Sequence, residues 1–127
     1  MDKAPGIDRA ALEQGLQTIF APWVRQLELR LIDFRAGQLL LALPVTEHHV
    51  HVGRVLCGQT LMAAADSAMV LAVMTQVGTM KPMTTVQLQT SFLRPIPGRM
   101  GHAHVVARVL RMGRKLVFGE VHIHGND

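Results

Sequence analysis

The chain carries one lone charge inside its most apolar stretch. Residues 57–74 read CGQTLMAAADSAMVLAVM, and Asp66 is the only charged side chain among them. A carboxylate in apolar surroundings is disfavoured as an ion, so its basicity should increase. Burying a carboxylate costs free energy, and proteins seldom do so without a partner or a function. Asp66 is therefore the first catalytic candidate, with a solvent-facing or structurally hydrogen-bonded helix residue as the alternative.

Gly58 opens the same stretch, eight residues before Asp66. The backbone N–H at the start of a helix is unpaired and lies at the positive end of the helix dipole. Gly58 could therefore hold the oxyanion of a reacting carbonyl, or it could merely begin the helix. Eight residues span roughly 12 Å along a helix, so one carbonyl carbon cannot contact both residues of the same helix. We therefore predict that Gly58 of one subunit works with Asp66 of another.

Cys57 offers a rival chemistry. A thiol at a helix N-terminus, with His48, His49 and His51 nearby in sequence, could be an activated nucleophile. Against this, the sequence shows no third residue to orient the pair, and a free Cys is more often a small buried hydrophobe. A single cysteine forms no internal disulfide and fits a reducing compartment, which predicts a cytoplasmic location.

Composition limits the class of protein. The 127 residues are 49% hydrophobic and 17% charged, which predicts one globular domain over residues 1–127. The apolar run 68–74 is too short to cross a bilayer, so we expect no membrane partner. With no Tyr, four Phe and one Trp, few aromatic platforms are available for stacking nucleic acid. The formal net charge of +4 fits a small phosphorylated ligand or a surface that is basic for solubility.

The first half of the chain predicts a helix followed by a hairpin. Asp8 can cap a helix over 9–20, which Pro22 ends. Alternating leucines predict a strand over 24–34, and Gly37 turns the chain into a second strand over 39–45.

The second half predicts one long helix and three strands. Residues 57–77 form the helix, stopped by Gly78 and apolar nearly all round, so it should be buried on most sides. Alternation predicts strands over 83–93, 100–111 and 115–124. An antiparallel sheet wrapped around the helix, with a second subunit closing the remainder, would bury it in so small a protein.

Two segments carry a family resemblance. HVGRVLCGQTLMAAADSA and TTVQLQTSFLRPIPG resemble the phenylacetate-degradation (PaaI-like) branch of hotdog-fold acyl-CoA thioesterases. That family places an acidic residue eight positions after the first Gly of a His-Gly-Gly motif, then a Ser or Thr on the next strand. Gly58, Asp66 and Thr85 match these positions, and Phe92 and Pro95 match the Phe-x-x-Pro exit of the strand.

Three positions depart from the family pattern. Cys57 stands where the family usually has His, Gln59 replaces the second Gly, and His51 falls near the place of a loop Asn. The resemblance implies an α+β hotdog fold, an acyl-CoA thioester hydrolase, and a site shared within a homodimer or a dimer of dimers. It implies no metal and no cofactor, since coenzyme A enters as part of the substrate.

The resemblance also assigns roles to residues. Asp66 would act as general base on water or as a nucleophile that forms a mixed anhydride, and the Gly58 N–H would polarise the carbonyl. Thr85 and His51 would support them, although Thr is also common in strands for ordinary reasons. Cys57 and Gln59 would line the substrate side. The candidates for the coenzyme A phosphates are Arg54, Arg94, Arg111, Arg114 and Lys115.

Two other functions remain open. A hotdog hydratase or dehydratase acting on acyl thioesters usually needs a His–acid pair, which His51 and Asp66 could mimic. A protein that binds acyl-CoA or another small ligand without turnover would explain the departures from the family pattern.

Four histidines alternate with core residues on the last two predicted strands. If Arg111 pairs with Lys115 across a three-residue loop, His104 faces His122 and His102 faces His124. Such a ladder on the outer face of the sheet could bind a metal, respond to pH, or lie between the dimers of a tetramer. The alternative is a solvated face without a role.

Overall fold

The fold was analysed in a computed structural model that describes residues 7–125. Its elements follow one another in this order: α1 (Arg9–Thr18), α2 (Pro22–Arg25), β1 (Arg30–Arg35), β2 (Gln38–Pro44), a 3-10 turn (Glu47–His49), α3 (Gly58–Val77), β3 (His102–Met112) and β4 (Val117–His124).

The four strands form one antiparallel sheet in the order β1-β2-β3-β4, and α3 contacts all four of them. Strict alternation on the two central strands places one face of the sheet under the helix. The residues of that face are fully or almost fully buried: Leu39, Leu41, Leu43, Ala103, Val105 and Ala107. The predicted α+β hotdog arrangement, with a sheet around one long helix and a short N-terminal helix, is confirmed.

Helix α3 has nearly the predicted bounds. It ends at Gly78, which adopts a φ of 91°, a left-handed conformation that glycine reaches without strain. The N–H of Gly78 donates to the carbonyl of Met74. Ten of its 20 residues are buried. Its length and apolar composition would suffice to cross a membrane, but 56% of its most apolar window is buried inside the fold, as in a core helix.

Thr75 joins the end of α3 to the β1–β2 hairpin. Its hydroxyl accepts the N–H of Gly37 at 2.9 Å and donates to the carbonyl of Ala72 at 2.6 Å. Thr75 is only 1% exposed, and Gly37 turns the hairpin with a φ of 79°. The hydroxyl therefore satisfies a turn N–H that no strand can pair.

The predictions for the first half were wrong in their boundaries. The first helix ends at Thr18, and Pro22 begins α2 because a proline fits the first turn of a helix. Strand β1 starts only at Arg30, because Glu28 has a φ of 57° that interrupts extended backbone. Leu27 and Leu29 are buried as expected, although they precede the strand.

The predicted strand over 83–93 was also wrong. No residue of this segment pairs with the sheet in the described chain, and the whole segment is exposed. Val86 and Phe92, expected on a core face, are 79% and 57% exposed. A strand needs a hydrogen-bonding partner and a cover for its apolar face, and a single chain supplies neither here. The segment, called the crossing segment below, instead contacts the free side of α3.

The register of the last hairpin differs from the predicted one. Arg111 pairs with Phe118 instead of Lys115, because the loop runs over 113–116, and the register then shifts again between Val109 and Arg111. A bulge of this kind inserts an unpaired residue and moves every later pair. His104 consequently lies opposite His124 and not His122.

Replacing Thr75 with Val keeps the side-chain shape but leaves the Gly37 N–H buried without an acceptor. We expect Thr75→Val to lower the free energy of unfolding by about 1–3 kcal/mol, measured by urea denaturation at fixed protein concentration. Thr18→Val is the matched control, since that hydroxyl is exposed and bonds only within α1. A comparable loss in both variants would contradict the role assigned to Thr75.

Candidate active site

Asp66 and Thr85 meet in the structure. The Thr85 hydroxyl donates a short hydrogen bond to Oδ1 of Asp66, so the two residues predicted to work together are in direct contact. Asp66 lies on the side of α3 that the sheet leaves free and is half-buried, so the expected full burial is not found within one chain. Thr85 belongs to the exposed crossing segment. The contact engages one of the two carboxylate oxygens.

Gly58 is the first residue of α3. Its preceding residue, Cys57, makes no side-chain capping hydrogen bond, so no side chain from the N-cap takes the N–H groups of the first turn. The ring of Phe92 packs against Gly58, and a Cβ added there would lie 3.2 Å from the ring edge. A side chain at this position would therefore crowd the ring of Phe92.

The crossing segment links the two centres on α3. It contacts the helix start through Phe92 and the helix middle through Thr85. Gly58 and Asp66 remain eight residues apart on one straight helix, roughly 12 Å along its axis. Within one chain they cannot act on the same carbonyl carbon.

His51 is held by its own loop. Its Nδ1 accepts the N–H of Gly53 at 2.8 Å, and its backbone N–H donates to the carbonyl of Val55. The ring is exposed and, within the described chain, makes no hydrogen bond to Asp66. The His–acid pair that a hydratase would need is not assembled in one chain.

Cys57 contacts a threonine that the sequence analysis missed. Its Sγ lies 3.2 Å from the hydroxyl of Thr60, and that hydroxyl lies 3.3 Å from Nδ1 of His49. Burial, followed by the neighbouring His48, lowers the pKa of His49 from its ordinary value of 6.5, and Glu28 partly opposes the shift. The i,i+3 spacing of Cys57 and Thr60 on one helix face was the available signal.

The remaining candidates lie on the surface. Gln59 is exposed beside Gly58 on the first turn of α3. The five basic residues proposed for coenzyme A are all exposed. Arg111, Arg114 and Lys115 lie at the β3–β4 hairpin, whereas Arg54 and Arg94 lie on the loops before and after α3. The structure does not gather them into one cluster.

The family model described as Thioesterase superfamily matches residues 48–127. This range contains α3, the crossing segment and every candidate residue of the site. The chain belongs to the thioesterase superfamily.

Named relatives agree with this assignment. A "putative esterase" of Thermoplasma acidophilum is 30% identical over 112 residues, covering 85% of this chain and 81% of the relative. A "putative esterase" of Thermoplasma volcanium is 28% identical over 93 residues, covering 73% of this chain and 68% of the relative. Together with the family match they support a thioester hydrolase.

Solved structures confirm the hotdog fold. Zebra fish thioesterase superfamily member 2 superposes with a TM-score of 0.82 at 19% identity, covering 94% of this chain and 88% of that one. The PaaI protein from the phenylacetic acid degradation operon of E. coli superposes with a TM-score of 0.73 at 18% identity, covering 91% and 82%. The fold that the PaaI-like resemblance implied is confirmed, and the roles of the individual residues stay predictions.

The pKa of His49 can be measured directly. Because its pKa is lower in the folded protein, acid protonates the unfolded chain first, and the contribution of His49 to stability is lost as the pH falls below about 6.5. In an NMR titration we expect His48→Gln to raise the pKa of His49 and Glu28→Gln to lower it further. A pKa of His49 that both variants leave unmoved would contradict these causes.

Proposed function

We propose that this thioesterase-superfamily protein hydrolyses acyl-CoA thioesters with Asp66 as its catalytic carboxylate. The observation that carries the proposal is the hydrogen bond from Thr85 to Asp66 on the open side of α3. As general base, Asp66 takes a proton from water, the resulting hydroxide adds to the thioester carbonyl, and the C–S bond then breaks. The leaving thiolate takes up the proton. As a nucleophile, Asp66 would instead form a mixed anhydride that water hydrolyses.

In this proposal Thr85 orients the carboxylate of Asp66. Its hydroxyl donates to Oδ1, which fixes the rotation of the carboxylate. Oδ2 is then left for water or for the carbonyl carbon. A serine could make the same hydrogen bond, in keeping with the Ser or Thr of the family pattern.

Gly58 supplies the electrophilic side of the reaction. Charge develops on the carbonyl oxygen as the hydroxide adds, and a preorganised N–H at a helix start stabilises it. The absence of a capping side chain on Cys57 favours this role, because the first-turn donors are not taken from that side. His51, Cys57 and Gln59 would border the thioester.

A second copy of the chain completes the site in this proposal. Gly58 of one copy and Asp66 of the other would face one carbonyl, which the separation along α3 forbids within a chain. The apolar side chains of the crossing segment that such an interface would cover are exposed in the single chain: Val86, Leu88, Phe92 and Leu93. We infer a homodimer, or a dimer of such dimers.

The proposed acyl-CoA substrate rests on the basic charge of the protein and on its membership of the thioesterase superfamily. The exposed basic side chains are suited to the coenzyme A phosphates, and the formal net charge of +4 favours an anionic substrate. No metal and no separate cofactor enter the proposed steps. We further propose a cytoplasmic protein without nucleic-acid or membrane partners.

Asp66→Asn removes the base but keeps the size of the side chain. We expect kcat for thiol release from acyl-CoA esters to fall by about 10²–10⁴-fold, with KM little changed. Thr85→Ser should retain activity, because it keeps the hydroxyl, and Cys57→Ala is the control for the rival thiol. Loss of activity in Cys57→Ala with Asp66→Asn still active would move the chemistry to the cysteine.

If the wild type released no thiol from any ester, the binding or hydratase function would be favoured. A change in the absorbance of an enoyl-CoA would then separate a hydratase from a binding protein.

Mixed dimers test whether the site is shared. Gly58→Val should inactivate the helix start, and Asp66→Asn should inactivate the base, so each variant alone is expected to be inactive. After the two are unfolded together and refolded, half of the dimers are mixed and each holds one intact shared site, giving about a quarter of wild-type activity. No recovery from a mixture shown to contain mixed dimers would mean that Gly58 and Asp66 act within one chain.

A further inference from the structure

The outer face of the sheet, opposite α3, carries two His-x-His pairs. His102 and His104 lie on β3, and His122 and His124 lie on β4. Because side chains two residues apart on a strand share a face, each pair projects away from the buried alanines and valine of β3. This face lies across the sheet from the proposed catalytic site, so the proposed function uses none of these residues.

Three of the four imidazoles are already neighbours. The ring centroids of His102 and His104 are 5.0 Å apart, and those of His104 and His124 are 5.4 Å apart. His104 is the centre of this group, called the outer histidine cluster below. Two imidazoles that bind one zinc ion at about 2.0–2.1 Å place their ring centroids roughly 5 Å apart. Each of these two pairs is therefore spaced as two rings that bind one metal ion are.

One ring is oriented as metal-binding histidines usually are. Nδ1 of His124 lies 3.0 Å from the carbonyl oxygen of Gly125. A carbonyl can only accept, so Nδ1 carries the proton and donates, which leaves the lone pair on Nε2. Metal-ligating histidines commonly donate their second ring nitrogen to a backbone carbonyl in this way.

The surroundings of the cluster leave room for an ion. The neighbours of His104 and His102 on β2 are Ala42 and Pro44, which bring no competing polar side chain. Beside His124 the surface forms a shallow depression, lined by Gln38, Val106, Arg108, Glu120, His122 and His124. The nearest cation, Arg108, is paired with Glu120 at 2.6 Å, so its charge is offset.

We propose that the outer histidine cluster, His102, His104 and His124, binds a divalent transition-metal ion through its imidazole nitrogens. Within residues 7–125 no three side chains are already preset as ligands around one point, so binding requires the rings of His102 and His104 to rotate about their side-chain bonds. Both rings are only half-buried, which permits that rotation. An all-imidazole donor set selects zinc, copper or nickel over magnesium or calcium.

The test is a titration of Zn²⁺ into full-length protein that carries no histidine tag, followed by isothermal calorimetry near neutral pH. We expect saturable uptake of one ion per chain, reversed by EDTA. His104→Ala and His124→Ala should each weaken binding by about tenfold or more. A Co²⁺ absorption spectrum typical of imidazole ligands should appear in the wild type and be lost in both variants.

His48→Ala is the matched control, since His48 is an exposed histidine outside the cluster. It should bind Zn²⁺ as the wild type does. His124 is exposed, so its substitution is not expected to disturb folding, and circular dichroism checks both cluster variants. The proposal is overturned if the wild type takes up no Zn²⁺, if both cluster variants bind as tightly as the wild type, or if His48→Ala alone abolishes binding.

Discussion

The rest of the structure depends on a helix that is apolar on all sides and covered on one. Helix α3 packs ten of its 20 residues into the fold, and the curved sheet supplies that cover. Apolar surface left in water costs roughly 25 cal/mol per Å², so the free side of the helix is the energetically incomplete part of the chain. Asp66 lies on this free side, and Gly58 is the first residue of the same helix. The incompletely covered helix therefore carries both residues that the proposed function uses.

Polar contacts at both ends hold this helix in a fixed register on the sheet. At its C-terminal end Thr75 bonds the Gly37 turn, and at its start the N–H of Cys57 donates to the carbonyl of His49 at 2.8 Å. Each contact satisfies a backbone donor that regular secondary structure leaves unpaired, so sliding the helix would leave that donor without a partner. The position of Asp66 on the sheet is thus set by contacts made far from the carboxylate itself. A site on a helix gains its precision from this kind of anchoring, because the helix transmits the position of its ends to its middle.

The sequence predicts those features whose cause lies within the chain. The bounds of α3 and the buried alternation of β2 and β3 follow from patterns that one chain can satisfy, and both are confirmed. The strand over 83–93 fails because its alternation has no cover in a single chain. The pairing of His104 with His122 fails because the loop is longer than expected and because a bulge cannot be read from alternation. Asp66 was found from its isolation in an apolar stretch, and Thr85 through the family pattern. The contacts of Thr60 and of the Phe92 ring at the start of α3 were missed. Contacts between a helix start and distant segments produce no periodic pattern in the sequence.

The departure at Cys57 does not remove imidazole from the start of the helix. Where the family pattern has a histidine, this chain has a thiol, yet His49 reaches the same turn through the hydroxyl of Thr60. Burial lowers the pKa of His49, so the ring is neutral at neutral pH and adds no positive charge. A neutral ring suits this place, because the positive end of the helix dipole disfavours a cation there. The imidazole of His49 therefore stands on the turn that precedes α3 and contacts the start of the helix through Thr60.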